Sequence, residues 1–510
     1  MRVLLLSMPD SFEHTPSLTM RMPNGALASL AGNLDPHHDV GIADLILAQQ
    51  SVASTVERLV REREPDVVGL SIMTFQRQTA LKVIRLIRAL RPHAVIVAGG
   101  YDPSLAPEAY AAPESGVDYL VRGEGDVTFR DLIRALERGV GADRVPGLSC
   151  RGPQGFVHNP ARPVSKLALD EVRPPNRAAR LLTGYTFMGR RIDIVETSRG
   201  CTYDCSFCSI IEMRGRNFHR FPIPHVIADI RDARARGARA IFIVDDNITL
   251  DLARFRELCA AIIEAGLDDI HYIVQGMTSA IAKAGDDLAA LMRRAGFRYV
   301  FLGIENVLAG DLAFLRAAAK NARRDGGAAG DTATIRAIEV LHRHGMYVVG
   351  GLIVGNPDDT AESIEANLTF ARDYVDWPYI QHPTPYPRTP MAQTFRDRGL
   401  LITEDVSEYD GTTAVVRTSA LAAADVEFLR WRAERWMKVR HVTSVLRWYP
   451  AFTLRHARRM LAHTFRGCTW RTLLGIEDER AAFTRYRAIR RAEREYLGEP
   501  APPPAGAQAA

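Results

Sequence analysis

Short apolar runs alternate with amphipathic helical stretches twice along this chain, and that alternation admits little other than parallel strands joined by crossover helices. In the first series, residues 1–145, the apolar runs fall at 2–7, 40–43, 67–71, 94–98 and 119–121. Helical periodicity fills 53–64 and 78–90, the second stopping at Arg91-Pro92 as a helix should. A Rossmann-like, doubly wound parallel sheet is expected there. The second series, 189–400, places apolar runs at 193–197, 240–245, 272–275, 299–303, 348–354 and 379–382, with helical runs at 226–236, 252–265, 288–295, 335–344 and 361–374. Six strand–helix units in succession suggest a partial (β/α)6 TIM-type barrel, an α/β fold whose chemistry gathers at the carboxyl ends of the strands.

The rest of the chain is organised around these two series. A length of 510 residues with 47% hydrophobic content supports at least two packed cores. Residues 146–188 carry six prolines and no clear periodicity, so they read as a linker with room for a small hairpin. From 401 to 498 the pattern turns to helices rich in arginine and aromatics, among them Trp431, Trp436, Trp448, Tyr449 and Trp470, which are expected to form a substrate or cap region. The Pro/Ala tail 499–510 cannot build a core and is expected to be disordered. The net charge of +5 is spread over many helices and implies no nucleic-acid partner. The first apolar run, Val3-Leu4-Leu5-Leu6, is too short for a secretion signal, and no stretch approaches the ~18–20 apolar residues of a membrane span.

Six cysteines are present; Cys201, Cys205 and Cys208 crowd into eight positions while Cys150, Cys259 and Cys468 are scattered. That is a metal-site distribution for a reducing cytoplasm, not a disulfide framework. Three clustered thiolates without an obvious fourth suit a [4Fe–4S] cluster with one iron left open. Phe207 between the last two would limit water access, and Ser198-Arg199-Gly200 gives a flexible, cationic approach. The competing reading is a zinc knuckle, which wants a fourth ligand at short spacing; His219 is the nearest candidate.

The segment Cys201-Thr-Tyr-Asp-Cys205-Ser-Phe-Cys208 resembles the CxxxCxxC pattern of the radical S-adenosylmethionine family. The resemblance implies that S-adenosylmethionine binds the open iron, that the reduced cluster splits it to an adenosyl radical, and that a reductant such as flavodoxin or ferredoxin supplies the electron. It also carries further positions. Asp245-Asp246-Asn247 stands where many relatives have Gly-Gly-Glu to hold the methionine amine, which leaves the three individual roles open. Gln275 ends the third strand, Glu305 in Gly303-Ile-Glu305-Asn306 is similar to a GxE segment near ribose and methionine, and Gly355 in Gly350-Gly-Leu-Ile-Val-Gly355 resembles a strand near the adenine. Taken singly, such glycines are ordinary turn or packing residues.

Ser71 and Thr74, then Gly99-Gly100, then Gly123-Glu124-Gly125 follow strand ends of the first series and resemble the cobalamin-binding domain that precedes the barrel in one class of this family. A Rossmann-like domain without a ligand is the alternative. The cobalt-ligating DxHxxG motif is not matched: the loop after the first strand reads Met8-Pro-Asp-Ser-Phe-Glu-His14, and Asp35-Pro-His37-His38 precedes the second strand. Cobalamin without a histidine ligand from this motif is therefore expected. Within that class the resemblance implies C-methylation of a small-molecule, lipid or tetrapyrrole substrate, or oxidative ring closure of the anaerobic magnesium-protoporphyrin monomethyl ester cyclase type. A cobalamin and iron–sulfur sensor is the non-enzyme alternative, and an open iron has no use there. The loop Gln381–Pro390, with His382, Tyr386 and Arg388, reads equally as a cavity wall or a rigid barrel exit. Segment 445–470 mixes apolar residues with five arginines and reads as a packed helix pair or as a peripheral contact with anionic lipid at the inner membrane face.

Overall fold

The structure, a computed structural model, describes residues 1–11, 19–164, 171–321 and 332–497, apart from the side chains of Asn321, His441, Ser444 and Trp448. The tail 499–510, residues 12–14 of the first loop and the Trp448 side chain lie outside the described residues.

In the first sheet Asp39–Asp44, Arg2–Ser7, Val67–Ser71, Val95–Gly99 and Tyr119–Val121 lie side by side and parallel, in the order 2-1-3-4-5. Helices cover both faces, which is why these strands read as unbroken apolar runs. Leu4, Leu6, Val68, Leu70, Ile96 and Ala98 pack on helices Val52–Arg63 and Arg77–Leu90. Val3, Leu5, Val67, Val97 and Val121 meet helices Gly25–Asn33 and Gly125–Glu137 on the opposite face. The hairpin Leu148–Gly152/Gly155–His158 is not free in a linker: it adds to Tyr119–Val121 as an antiparallel edge, so this sheet runs past residue 145. Helix Gly25–Asn33 has weak periodicity and two glycines. A Cβ on Gly32 would fall 1.9 Å from the Pro174 carbonyl oxygen, so tertiary packing rather than propensity decides it.

The second sheet is a curled half-barrel. Arg190–Val195, Ala240–Ile243, His271–Met277, Phe297–Glu305, Tyr347–Ile353 and Trp377–Gln381 are consecutive parallel neighbours, and Thr186–Phe187 with Met20–Arg21 close the first edge antiparallel. One face is buried under helices Ile223–Ala235, Leu252–Glu264, Thr278–Arg294, Ala333–Arg343 and Ala361–Tyr374. The other face is covered only in part. Its layer Phe242, Ile273, Tyr299 and Tyr347 packs against Tyr449 and Phe452, at the junction of helices Ala423–Trp448 and Pro450–Thr464. Nearer the carboxyl ends Gln275, Phe301, Gly303, Tyr379 and Gln381 are only half-buried, so this end of the face is less covered than the floor. Helix Glu479–Ala492 then returns the chain. Arg490 and Arg494 clamp buried Asp410, each at 2.8 Å, and Glu495 pairs with Lys82 of the first domain at 2.7 Å.

Candidate functional site

The exit of strand Arg190–Val195 is fixed by the end of its neighbour. Asp245, 1% exposed, accepts the Thr197 amide and the Ser198 hydroxyl at 2.6 Å each, together with the Thr197 hydroxyl. Burial pushes its carboxyl up to about 6 against those bonds. Ser198–Arg199 then pair antiparallel with His219–Arg220, pinching the loop at its base. Gly200 has φ of +92°, and a Cβ there would meet the Asn217 carbonyl oxygen at 2.5 Å, so only glycine serves. Its amide donates to Asp246 Oδ2 at 2.7 Å. Asn247 is occupied in its own turn, accepting the Thr249 amide and hydroxyl. All three residues of the Asp-Asp-Asn triplet therefore hold backbone, and Asp246, the least buried of them, does so through Oδ2 alone.

The Cys208 amide donates to the Cys205 carbonyl at 3.1 Å, turning the loop so that the three thiols converge. Burial raises all three, and the Cys208 thiol reaches about 12 with Cys205 and Cys201 adding to it. Among the described residues these sulfurs do not all come within 4.8 Å of one another, with or without His219. Ligands of one tetrahedral zinc at Zn–S of about 2.3 Å sit roughly 3.8 Å apart. The donor set is thus too wide for a single tetrahedral ion, and three thiols without a close fourth ligand are the donor chemistry of an iron–sulfur cluster with one open iron.

Two charged side chains face this loop. Glu305 closes strand Phe297–Glu305 at a register shift with φ of +64°, a conformation a non-glycine residue keeps only where its surroundings impose it. It pairs with Lys320, whose ammonium lies 5.9 Å from the centre of the Phe207 ring. A Cβ on Gly303 would meet Glu305 Oε1 at 2.7 Å and Lys320 Nζ at 3.1 Å. Lys320 is held protonated, well above its usual range, by Glu305 and by Cys205 and Cys208, against the cost of burial. Gln275 lies on the half-open face. Gly355 is accounted for by packing, since a Cβ there would strike Val426 at 2.7 Å.

The loops of the first sheet meet the thiol loop directly. Ser104 ties the glycine pairs together, donating to the Gly100 carbonyl at 2.6 Å and accepting the Gly123 amide at 3.0 Å. An added Cβ would make only ordinary contacts at Gly99, 3.5 Å from Val121, and at Gly123, 3.7 Å from the Met213 carbonyl oxygen, so neither position is crowded by protein. Gly100 is needed against Ile72, and Gly125 starts a helix against Leu30. Thr74 bonds buried Asp102, whereas Ser71 is half-exposed and takes a bond from Asn24 at 3.3 Å. Asp126, just past Gly125, accepts Arg199 Nη1 at 2.6 Å, both 5% exposed, and Arg199 also holds Glu196 at 2.7 Å. Arg214 spans Asp246 at 3.4 Å and Glu124 at 3.9 Å. The Tyr101 phenol is raised by burial and lies in the field of Arg214, Asp246 and Cys208. Met73 and Phe75 pack with Phe207, Leu312 and Leu315, sealing the seam.

The structure thus gathers Cys201, Cys205, Cys208, Phe207, Asp246 and Glu305 at one mouth, with Gly123 and Glu124 meeting Met213 and Arg214 from the first domain, while Ser71 and Gly99 end two paired strands of that domain. Lys320, Arg214 and Tyr101 were not singled out in the sequence, and Arg199, expected in a flexible cationic approach, is instead strand-paired, buried and locked on Asp126 and Glu196. Arg199 and Asp126 each flank a recognised motif, and that adjacency was the available signal; Lys320 had none.

Two family models match: a B12 binding domain over residues 17–133 and the Radical SAM superfamily over residues 195–371. An uncharacterized methyltransferase of Pyrococcus horikoshii is 26% identical, over 85% of this chain and 91% of its own. An anaerobic magnesium-protoporphyrin IX monomethyl ester cyclase of Synechocystis is 26% identical over 93% and 91%. In fold, the chain is similar to the radical S-adenosylmethionine methyltransferase TsrM of Kitasatospora setae, solved with cobalamin and a [4Fe–4S] cluster, with a TM-score of 0.62 and 21% identity over 78% of each chain.

Proposed function

A chain that joins a B12-binding domain to a radical SAM domain belongs to the cobalamin-dependent radical SAM enzymes, and from that premise we propose that it methylates an unactivated carbon of a small-molecule, lipid or tetrapyrrole substrate. The observation that carries the proposal is the meeting of the two loop sets, bound across the seam by Arg199 and Asp126. A methyl donor and a hydrogen-abstracting centre must both reach one substrate carbon, and this seam opens onto the half-covered face of the barrel.

When bound, the cluster with S-adenosylmethionine supplies the hydrogen-abstracting radical and cobalamin supplies the methyl group. In this reading Cys201, Cys205 and Cys208 hold the cluster. Asp246 Oδ1, which makes no hydrogen bond among the described residues, takes the methionine ammonium, and Lys320 its carboxylate. Glu305 faces the ribose hydroxyls. Ser71, Gly99 and Gly123 would border cobalamin, and Arg214 with Tyr101 lies at the seam where the two loop sets meet. Phe207, Met73 and Phe75 exclude water. Phe301 and Tyr379, 5.8 Å apart, and Gln275 offer the substrate an aromatic wall with one polar handle. A low-potential donor of the flavodoxin or ferredoxin class, in a reducing cytoplasm, supplies the electron.

Oxidative ring closure is the second reading, favoured by the near full-length match to the cyclase. The test is anaerobic reconstitution with iron, sulfide and cobalamin, then mass spectrometry of products formed with methyl-deuterated S-adenosylmethionine. Label in the product supports methylation; an unlabelled, oxidised product transfers the proposal to ring closure.

A further inference from the structure

Between Glu434 and Glu477 the chain runs 42 residues without an aspartate or glutamate while carrying eight arginines and one lysine. At the chain's mean acidic content about five carboxylates would be expected in such a length. The same stretch holds nine of the sixteen large apolar side chains exposed among the described residues. Among the described residues, charge and exposed hydrophobicity coincide nowhere else to this degree.

Helix Pro450–Thr464 shows how this arises. Its inner side buries Phe452 and Thr453 over the barrel floor, so the helix is anchored. Its outer side sets Leu454, Arg458 and Leu461 in one helical row with Arg455 and Arg459 beside them, all exposed. The chain then turns so that Trp470, Arg471, Leu473, Leu474 and Ile476 continue the exposed surface. Leu454 is 72% exposed, Trp470 67% and Leu474 69%. Arg455, Arg458, Arg459 and Arg471 form no ion pair with any described residue, whereas most of the other arginines of these helices have acidic partners. Among the described residues no helix is long and apolar enough to cross a membrane.

We propose that this face is a peripheral docking surface for an anionic lipid bilayer. Leucine, isoleucine and tryptophan tips enter the boundary between headgroups and acyl chains while the unpaired guanidiniums meet lipid phosphates. A nucleic acid or an acidic protein would satisfy the arginines but leave the apolar tips without a partner. The surface is independent of the reaction performed in the barrel, and it sets the barrel floor against the membrane from which an apolar substrate would be drawn.

The test is flotation of the full-length protein with vesicles of phosphatidylcholine alone or mixed with phosphatidylglycerol. Binding is expected to the mixed vesicles only and to weaken at high salt. The triple variant Arg455→Gln/Arg458→Gln/Arg459→Gln should bind about 100-fold more weakly, roughly fivefold for each cation lost. The variant Leu454→Ser/Leu461→Ser/Trp470→Ser, exposed and so neutral for folding, should lose binding as well. Absence of binding to the mixed vesicles, or binding that ignores the leucine and tryptophan changes, overturns the proposal. So does tighter binding to single-stranded RNA or to an acidic flavodoxin, lost in the arginine variant alone.

Discussion

The two parallel sheets use the same strand–helix grammar and finish it differently. Every strand of the first sheet's centre is buried on both faces, and what it offers is a rim of loops. The half-barrel is covered by helices on one face, and on the other only a single layer is floored by Tyr449 and Phe452. A closed sheet can present a flat cofactor edge-on, whereas an open one keeps a chamber. In the proposed reading the first domain's loops hold cobalamin, the second domain's loops hold the cluster, and substrate lies on the second domain's uncovered face.

The largest expected effect falls on the thiol loop. Cys205→Ala should abolish 5′-deoxyadenosine formation under reducing conditions while cobalamin uptake, followed by absorbance, persists; loss of both would merge the two regions into one folding unit. Next is the tie between them. Asp126→Asn removes one of the two carboxylates that hold buried Arg199, leaving Glu196, and should cost about 3 kcal/mol in denaturant titration, with less lost when Arg199→Met is added. Third, Leu6→Ala in the doubly covered sheet should cost about 3 kcal/mol, against roughly 1–2 kcal/mol for Phe301→Ala on the half-open face, whose loss should appear in KM instead.

The smallest effect is one of pH. Burial holds the Asp10 carboxyl in the first-strand loop up to about 7. Between about pH 4 and pH 7 the folded chain then carries a proton that the unfolded chain has released, so stability falls as pH rises through this window. About 1.4 kcal/mol should be lost between roughly pH 6 and pH 8, and Asp10→Asn should flatten the slope.

Much of this contrast was legible in the residues. Doubly buried strands announce themselves as unbroken apolar runs, and the thiol spacing marked the second domain's first loop. What was not legible depends on partners far along the chain. Asp245, Asp246 and Asn247 look equivalent until the backbone amides each serves are in place. Lys320 is an ordinary polar-loop lysine until Glu305 is found across the mouth. Arg199 reaches Asp126 over 73 positions, and the hairpin at 148–158 needed a sheet edge that only the fold supplies. The uncarboxylated stretch after Glu434 was visible, but which of its leucines pack inward and which face out was decided by the barrel floor.

The central claim is that two loop sets, one from each sheet, make a single two-cofactor site. It is tested most directly by counting cofactors on the full-length chain after anaerobic reconstitution, with iron and sulfide assayed chemically and cobalamin by absorbance. The account predicts one [4Fe–4S] cluster and one cobalamin per chain, with Cys205→Ala losing the cluster alone. A chain that takes up the cluster and leaves cobalamin in solution would contradict it.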